Sequence, residues 1–184
     1  MSKINHRFII KNSILLVTIL IFTFLLSSCS KKKKKNDNEF VIKNGLIYQQ
    51  DSTKPFTGKK IGYVKGLKIE YDVLKGVKTG EFKTFYKNGR PQMFGHLLNN
   101  KNEGLWKYFY PDSSIESQGN FKDDVPDGKW IWYYQDGKLK ETGNYVQGKR
   151  EGKWLDYDKK SKIIFKRNYK DGKEIKSGKD EKKK

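Results

Sequence analysis

Glycine stands at Gly80, Gly104, Gly128 and Gly152, a constant interval of 24 residues, and the chain between these points repeats itself. Two residues beyond each glycine comes Phe82, Trp106, Trp130 or Trp154. Five beyond comes Phe85, Phe109, Tyr133 or Tyr157, and six beyond comes Tyr86, Tyr110, Tyr134 and then Asp158. Further columns follow: Pro91, Ile115, Leu139 and Ile163; Gly95, Gly119, Gly143 and then Arg167; Leu97, Phe121, Tyr145 and Tyr169. A fixed period in this length range marks a repeat architecture, in which each unit finds cover for its apolar side chains only against its neighbours.

The third unit shows what the repeat is. Lys129 to Tyr134 (KWIWYY) is aromatic and β-branched, the composition of a strand. Gln135 to Lys138 is a turn, with Gly137 free to take positive φ. Leu139 to Tyr145 (LKETGNY) is the return strand, and Gln147 to Gly152 turns into the next unit. Side chains alternate along a strand, so Leu139, Glu141, Gly143 and Tyr145 are expected on one face. Gly143 leaves a gap there that the ring of Trp130 or Trp154 would cover, a reason for a strand-weakening glycine to recur. A lone hairpin is marginal in water, so the hairpins must stack. The expectation is an all-β fold: one single-layer antiparallel sheet with aromatic ladders running along it.

Both ends of the repeat degrade. Residues 43–79 read as an N-terminal cap and a shortened unit, with an opening strand, a loop and a Lys54-Pro55-Phe56-Thr57-Gly58 turn ahead of Tyr63-Val64 and Leu67 to Leu74. Four full units occupy residues 80–175. The tail 176–184 (KSGKDEKKK) has no apolar residue and is expected to be a disordered basic segment.

The first 28 residues have the organisation of an address. Lys3, Arg7 and Lys11 precede the mostly apolar run Ser13 to Leu26, which at 14 residues is short for a membrane span. The sole cysteine of the chain, Cys29, follows at once, so no internal disulfide can form. Lys31 to Lys35 come next, and residues 29–42 read as a basic tether. The whole chain carries a formal charge of +19, which favours anionic partners. Lysines beside a membrane add about 1 kcal/mol each near anionic head groups.

Two resemblances rest on these residues. Leu26-Ser27-Ser28-Cys29 resembles the bacterial lipobox, which implies a diacylglycerol on the Cys29 thiol and cleavage before it; more than one acyl chain makes such an anchor durable. Ser30 in place of Asp, and lysines in place of an acidic export signal, imply an outer-membrane position facing the periplasm. Gly128-Lys129-Trp130, Tyr133 to Gly137, Gly143-Asn144-Tyr145 and Gly148 resemble the MORN-repeat variant. With Lys54 to Gly58, they resemble the YwqK-type chains labelled as antitoxins. That label implies neutralisation of a toxin partner, whereas a lipobox points outside the cytoplasm. MORN repeats elsewhere are linked to phospholipid binding and to protein scaffolding.

Residues able to do covalent chemistry are few. His6 lies in the leader, leaving His96 in Phe94-Gly95-His96-Leu97, where a lone strand histidine reads as structural. No Ser is marked beside it for a triad, and no cluster offers three or four zinc ligands. Asp123, Asp124 and Asp127 lack the spacing of an EF-hand and read as turn residues. The expectation is therefore a non-catalytic protein-binding or scaffold module, with no cofactor and no metal. Toxin neutralisation, or binding of anionic lipid or glycan in the envelope, is the alternative. Its candidate surface is Tyr108, Tyr110, Trp132 and Tyr134 with Lys107 and Lys129, aromatics interleaved with lysines. Such a pattern can also stack on bases, but nucleic acid is not an expected partner outside the cytoplasm.

Overall fold

A computed structural model describes residues 39–175. The readings placed on residues 1–38 and 176–184, namely the leader, Cys29, the lysine run and the basic tail, lie outside the described residues. Thirteen strands and no helix are described. A short hairpin, β1 (Phe40–Lys43) and β2 (Leu46–Gln49), forms its own two-stranded sheet. The remaining strands are β3 (Gly58–Val64), β4 (Leu67–Leu74), β5 (Val77–Phe85), β6 (Pro91–Leu98), β7 (Lys101–Phe109), β8 (Ile115–Lys122), β9 (Val125–Tyr133), β10 (Leu139–Val146), β11 (Lys149–Tyr157), β12 (Ile163–Lys170) and β13 (Lys173–Ile175). They lie side by side in sequence order in one eleven-stranded sheet, every pair antiparallel. The expected meander of stacked hairpins is the fold.

Two kinds of turn alternate along its margins. On one margin the central residues both take positive φ: Asn99 and Asn100, Asp123 and Asp124, Gln147 and Gly148, Asp171 and Gly172. That is the two-residue turn whose twist matches paired strands. These connections are shorter than the sequence implied, because Lys149 to Gly152 already belongs to β11. On the other margin, the N–H groups of Gly89, Ser113, Gly137 and Ser161 reach back to the carbonyls of Tyr86, Tyr110, Tyr134 and Asp158 at 2.8–2.9 Å.

One face, here the ladder face, carries the core. Trp106, Trp130 and Trp154 are 2, 6 and 0% exposed. Fully burying a large apolar side chain contributes roughly 1.5–3 kcal/mol. The rings follow one another across the sheet: Tyr71 to Phe82 at 6.3 Å, Phe82 to Trp106 at 5.5 Å, Trp106 to Phe121 at 5.8 Å, and Phe121 to Trp130 at 5.2 Å. The row continues through Tyr145 and Trp154 to Tyr169, with the last three contacts near edge-to-face.

The glycine column is explained by the ring that follows it. Trp106 lies on Gly95, Trp130 on Gly119 and Trp154 on Gly143; a Cβ at any of the three would stand 2.1–2.2 Å from a ring carbon. The cover for Gly143 is thus Trp154 of the next unit, the second of the two rings anticipated. The indole N–H then donates to the carbonyl one residue beyond the glycine, Trp130 to Asn120 at 3.1 Å and Trp154 to Asn144 at 3.3 Å. The corresponding nitrogen of Trp106 has no partner among the described residues. Where no tryptophan follows, no glycine is needed. Arg167 fills the column in the last unit and pairs with Asp156 and Glu141. Tyr71 fills it in the first, beside the smaller Phe82.

Two expectations require correction. Leu139 does not share a face with Glu141, Gly143 and Tyr145. The register shifts between Leu139 and Glu141, so Leu139 opposes Tyr133 while Glu141 opposes Trp132. The extra residue is a β-bulge, and it moves Leu139 to the other side of the sheet. The same shift pairs Pro91 with Phe85, Ile115 with Phe109 and Ile163 with Tyr157. At the N-terminus, Phe40 to Ile42 are strand rather than tether, because the Asn44-Gly45 turn pairs them with Ile47 to Gln49. Phe56, from the Lys-Pro-Phe-Thr-Gly stretch, packs edge-on to Phe40 at 4.8 Å, and the Thr57 hydroxyl accepts the Lys75 N–H at 2.8 Å. The cap is therefore held by a ring pair and a turn bond.

Candidate binding surface

The six residues singled out in the sequence do not form one surface; the sheet sorts them into three places. Tyr108 and Trp132 stand on the ladder face, where Tyr108 lies 6.3 Å from Trp130, and Trp132 lies 5.7 Å from both Trp130 and Trp154. Both are half-buried, and burial raises the pKa of the Tyr108 phenol. Their role is packing. The physical reason is the pleat: tyrosine and lysine adjacent in sequence point to opposite sides.

Tyr110 and Tyr134 stand at the turn margin, and their hydroxyls are already engaged. Tyr86 donates to the Phe109 carbonyl at 2.6 Å, Tyr110 to the Tyr133 carbonyl at 2.8 Å and Tyr134 to the Tyr157 carbonyl at 2.7 Å. Each hydroxyl thus clips its own unit to the next, and Asp158 replaces the tyrosine in the last unit among the described residues. Beside them an open cleft of about 570 Å³ is lined by Tyr110, Asp112, Tyr134, Gln135, Asp136 and Lys159. The Asp112 carboxyl is held down to about 2, chiefly by the Ser114 hydroxyl, then by the Gln135 amide and the Ser114 N–H. Asp136 is also lowered, first by the Lys138 N–H and then by its ammonium. These acids are consumed in shaping turns.

Lys107 and Lys129 occupy the face opposite the ladder. Lys107 opposes Gln118, and Lys129 opposes Asn144, both away from the tryptophans. Sequence reasoning missed the residues that complete this face: Lys153 and Lys166, with Leu105, Ile131 and Leu155 between them. Lys166 opposes Leu155, and Ile131 opposes Gln118 and Thr142. The strict alternation through each forward strand was the available signal. A shallow cleft of about 230 Å³ lies here between Lys129 and Lys153, floored by Thr142, Gly143 and Asn144.

His96 is exposed on that same face, opposite Glu81 and Glu103, with its ring 6.0 Å from Phe94. Asp124 and Asp127 accept the N–H groups of Asn102 and Gln147, while Asp123 pairs with Lys101 at 3.0 Å. Among the described residues, no group of three His, Cys, Asp or Glu is placed to hold a metal ion.

Two solved structures share a faint likeness with this chain. A crystal structure of a TarM point mutant from S. aureus, in complex with fondaparinux, α-GlcNAc-glycerol and UDP, is 17% identical. It covers 52% of this chain and 21% of its own, with a TM-score of 0.29. A GtfA/B complex bound to UDP and GlcNAc is 10% identical over 68% of this chain and 26% of its own, with a TM-score of 0.21. The chain spans about a fifth to a quarter of the length of these proteins. At such scores neither bears on fold or function. No curated protein matches the chain. The family comparison is positive: residues 102–123, 126–147 and 150–171, three consecutive stretches offset by the same 24-residue period, match the MORN repeat variant.

Proposed function

We propose that this chain is a non-catalytic binding module that recognises a protein partner through the sheet face opposite the aromatic ladder, and that Cys29 anchors it by lipid to the outer membrane, facing the periplasm. One observation carries the binding reading. The tryptophans, the tyrosine hydroxyls and the turn carboxylates are spent on unit-to-unit packing, while the opposite face repeats lysine and aliphatic side chains that no second layer covers among the described residues. Repeat arrays expose long surfaces of this kind, and repeats of the MORN kind suggest a protein- or membrane-binding module.

The test is photo-crosslinking in intact envelopes. Crosslinkers placed at Lys129 and Leu105 on the open face are expected to capture one dominant protein that then binds the purified chain. Crosslinkers at Tyr134 on the margin are not. Capture of no protein from any position would refute the binding reading. For the anchor, labelling with a fatty-acid analogue should mark the chain and fail with Cys29→Ala, and an unlabelled wild-type chain would refute it.

A further inference from the structure

Along the open face, charge is distributed unevenly from one end of the array to the other. In the first units the strand lysines of this face are neutralised: Lys59 by Asp72 at 2.8 Å, Lys68 by Glu70 at 2.6 Å and Lys83 by Glu81 at 2.8 Å. In the three later forward strands the pattern changes. One and three residues past the repeat glycines Gly80, Gly104, Gly128 and Gly152, β5 presents Glu81 and Lys83, β7 presents Leu105 and Lys107, β9 presents Lys129 and Ile131, and β11 presents Lys153 and Leu155. Each later strand thus carries one lysine and one aliphatic at these two positions, with the lysine first on β9 and β11 and second on β7. None of Lys107, Lys129 and Lys153 has an ion-pair partner among the described residues. The carboxylates carried by the same strands, Glu103, Asp127 and Glu151, are tied at the margin to the turn N–H groups of Asp123, Gln147 and Asp171. Leu105 is 47% exposed, and Lys129 and Lys153 lie open.

This geometry specifies the shape of a complement. β9 and β11 are separated by two strand spacings, so Lys129 and Lys153 stand ~9–10 Å apart across the sheet. They share one row with Leu105, while Lys107 lies two residues along its strand, in the row of Gln118, Ile131, Thr142 and Leu155. An extended partner covers that distance in three residues, which places successive side chains on opposite sides. A helix covers it in about seven residues at 1.5 Å each, which returns to the same side. Matched charge confers specificity, and the aliphatics between the lysines supply the apolar contact that a hydrophilic polyanion does not use.

We infer that the open face of β7–β12 docks an acidic amphipathic helix of the protein partner, laid across the strands, with carboxylates a heptad apart meeting Lys129 and Lys153, a further carboxylate on the helix flank meeting Lys107 in the neighbouring row, and leucine-type side chains on Leu105, Ile131 and Leu155. The cleft between Lys129 and Lys153, lined also by Thr142, Gly143 and Asn144, receives one of these carboxylates. This inference rests on the binding reading above and names the chemistry of its partner.

The experiment uses the full chain in detergent and two helical peptides of about 20 residues, one with Glu every seventh position beside Leu, the other of identical composition with that order scrambled. The ordered peptide is expected to bind, at least about tenfold tighter than the scrambled one, and to weaken steeply with salt. Lys129→Glu with Lys153→Glu should weaken it at least about tenfold, while Lys68→Glu in the balanced half leaves it unchanged. Equal binding of both peptides, or loss with Lys68→Glu equal to that with the pair, would overturn the inference, as would heparin or vesicles of anionic lipid binding through these lysines where the ordered peptide does not. Crosslinking of a protein partner at Lys129, together with indifference to the peptides, would sink the helix and leave the binding module standing.

Discussion

Replacing Gly119 by alanine tests the packing of the array most directly. Gly119 does not need positive φ, so in open space alanine there would be tolerated or would stabilise by roughly 0.4–1 kcal/mol. The structure reverses that sign. The new Cβ would stand 2.2 Å from Cδ2, 2.3 Å from Cε2 and 2.4 Å from Cγ of Trp130. Carbon pairs settle at roughly 3.5–4.0 Å, so the indole must lift by more than about 1 Å. It then strains the bond to the Asn120 carbonyl and the edge contacts with Phe121 at 5.2 Å and Tyr145 at 6.1 Å. Overpacking costs about 1–3 kcal/mol, and a buried donor left unmade costs about 1–3 kcal/mol. These terms overlap, and the backbone gain offsets part of them, leaving a net loss of about 2–4 kcal/mol. Urea unfolding followed by near-ultraviolet dichroism of the tryptophans reads the loss, and amide exchange in β8 to β10 localises it, since repeat arrays open unit by unit. Gly62→Ala is the control, because nothing lies within 4 Å of that site and its stability should hold or rise slightly. In a Trp130→Ala background, Gly119→Ala should become neutral or stabilising. A wild-type-like Gly119→Ala, or the same loss with the indole already gone, would refute the reasoning.

Two further outcomes follow from the margins. Tyr110→Phe removes the hydroxyl that clips its unit to the Tyr133 carbonyl and should lower stability by about 1 kcal/mol, with exchange loosening at the turn of β9 rather than of β7. The folded-state pKa of Asp112 is depressed, so its contribution is present above the ordinary value of 3.8 and is lost as pH falls through about 2. The melting temperature of Asp112→Ala should therefore lie below wild type at pH 5, with the gap closing towards pH 2; a gap that stays constant over that range would contradict the assignment.

The period, the strand and turn chemistry and the all-β class were legible because each is local. A glycine every 24 residues, rings at fixed offsets and polar turn residues dictate hairpins whatever lies beyond them. The degraded ends were legible too, and their reason is now visible: Arg167 and Asp158 stand in the last unit of the described residues, where no tryptophan comes to cover a glycine and no carbonyl to accept a tyrosine. What the residues alone left open was everything that depends on which strand lies alongside. The cover for Gly143 comes from Trp154 rather than Trp130, and only strand packing decides between them. The bulge between Leu139 and Glu141 reverses the face of Leu139, because one unpaired residue inverts a period of two. The same alternation divides Tyr108 from Lys107 and Trp132 from Lys129, so a surface assembled from neighbours in sequence comes apart across the sheet. Lys153 and Lys166 join Lys107 and Lys129 only in three dimensions, through the lateral spacing of antiparallel strands, which no sequence distance records.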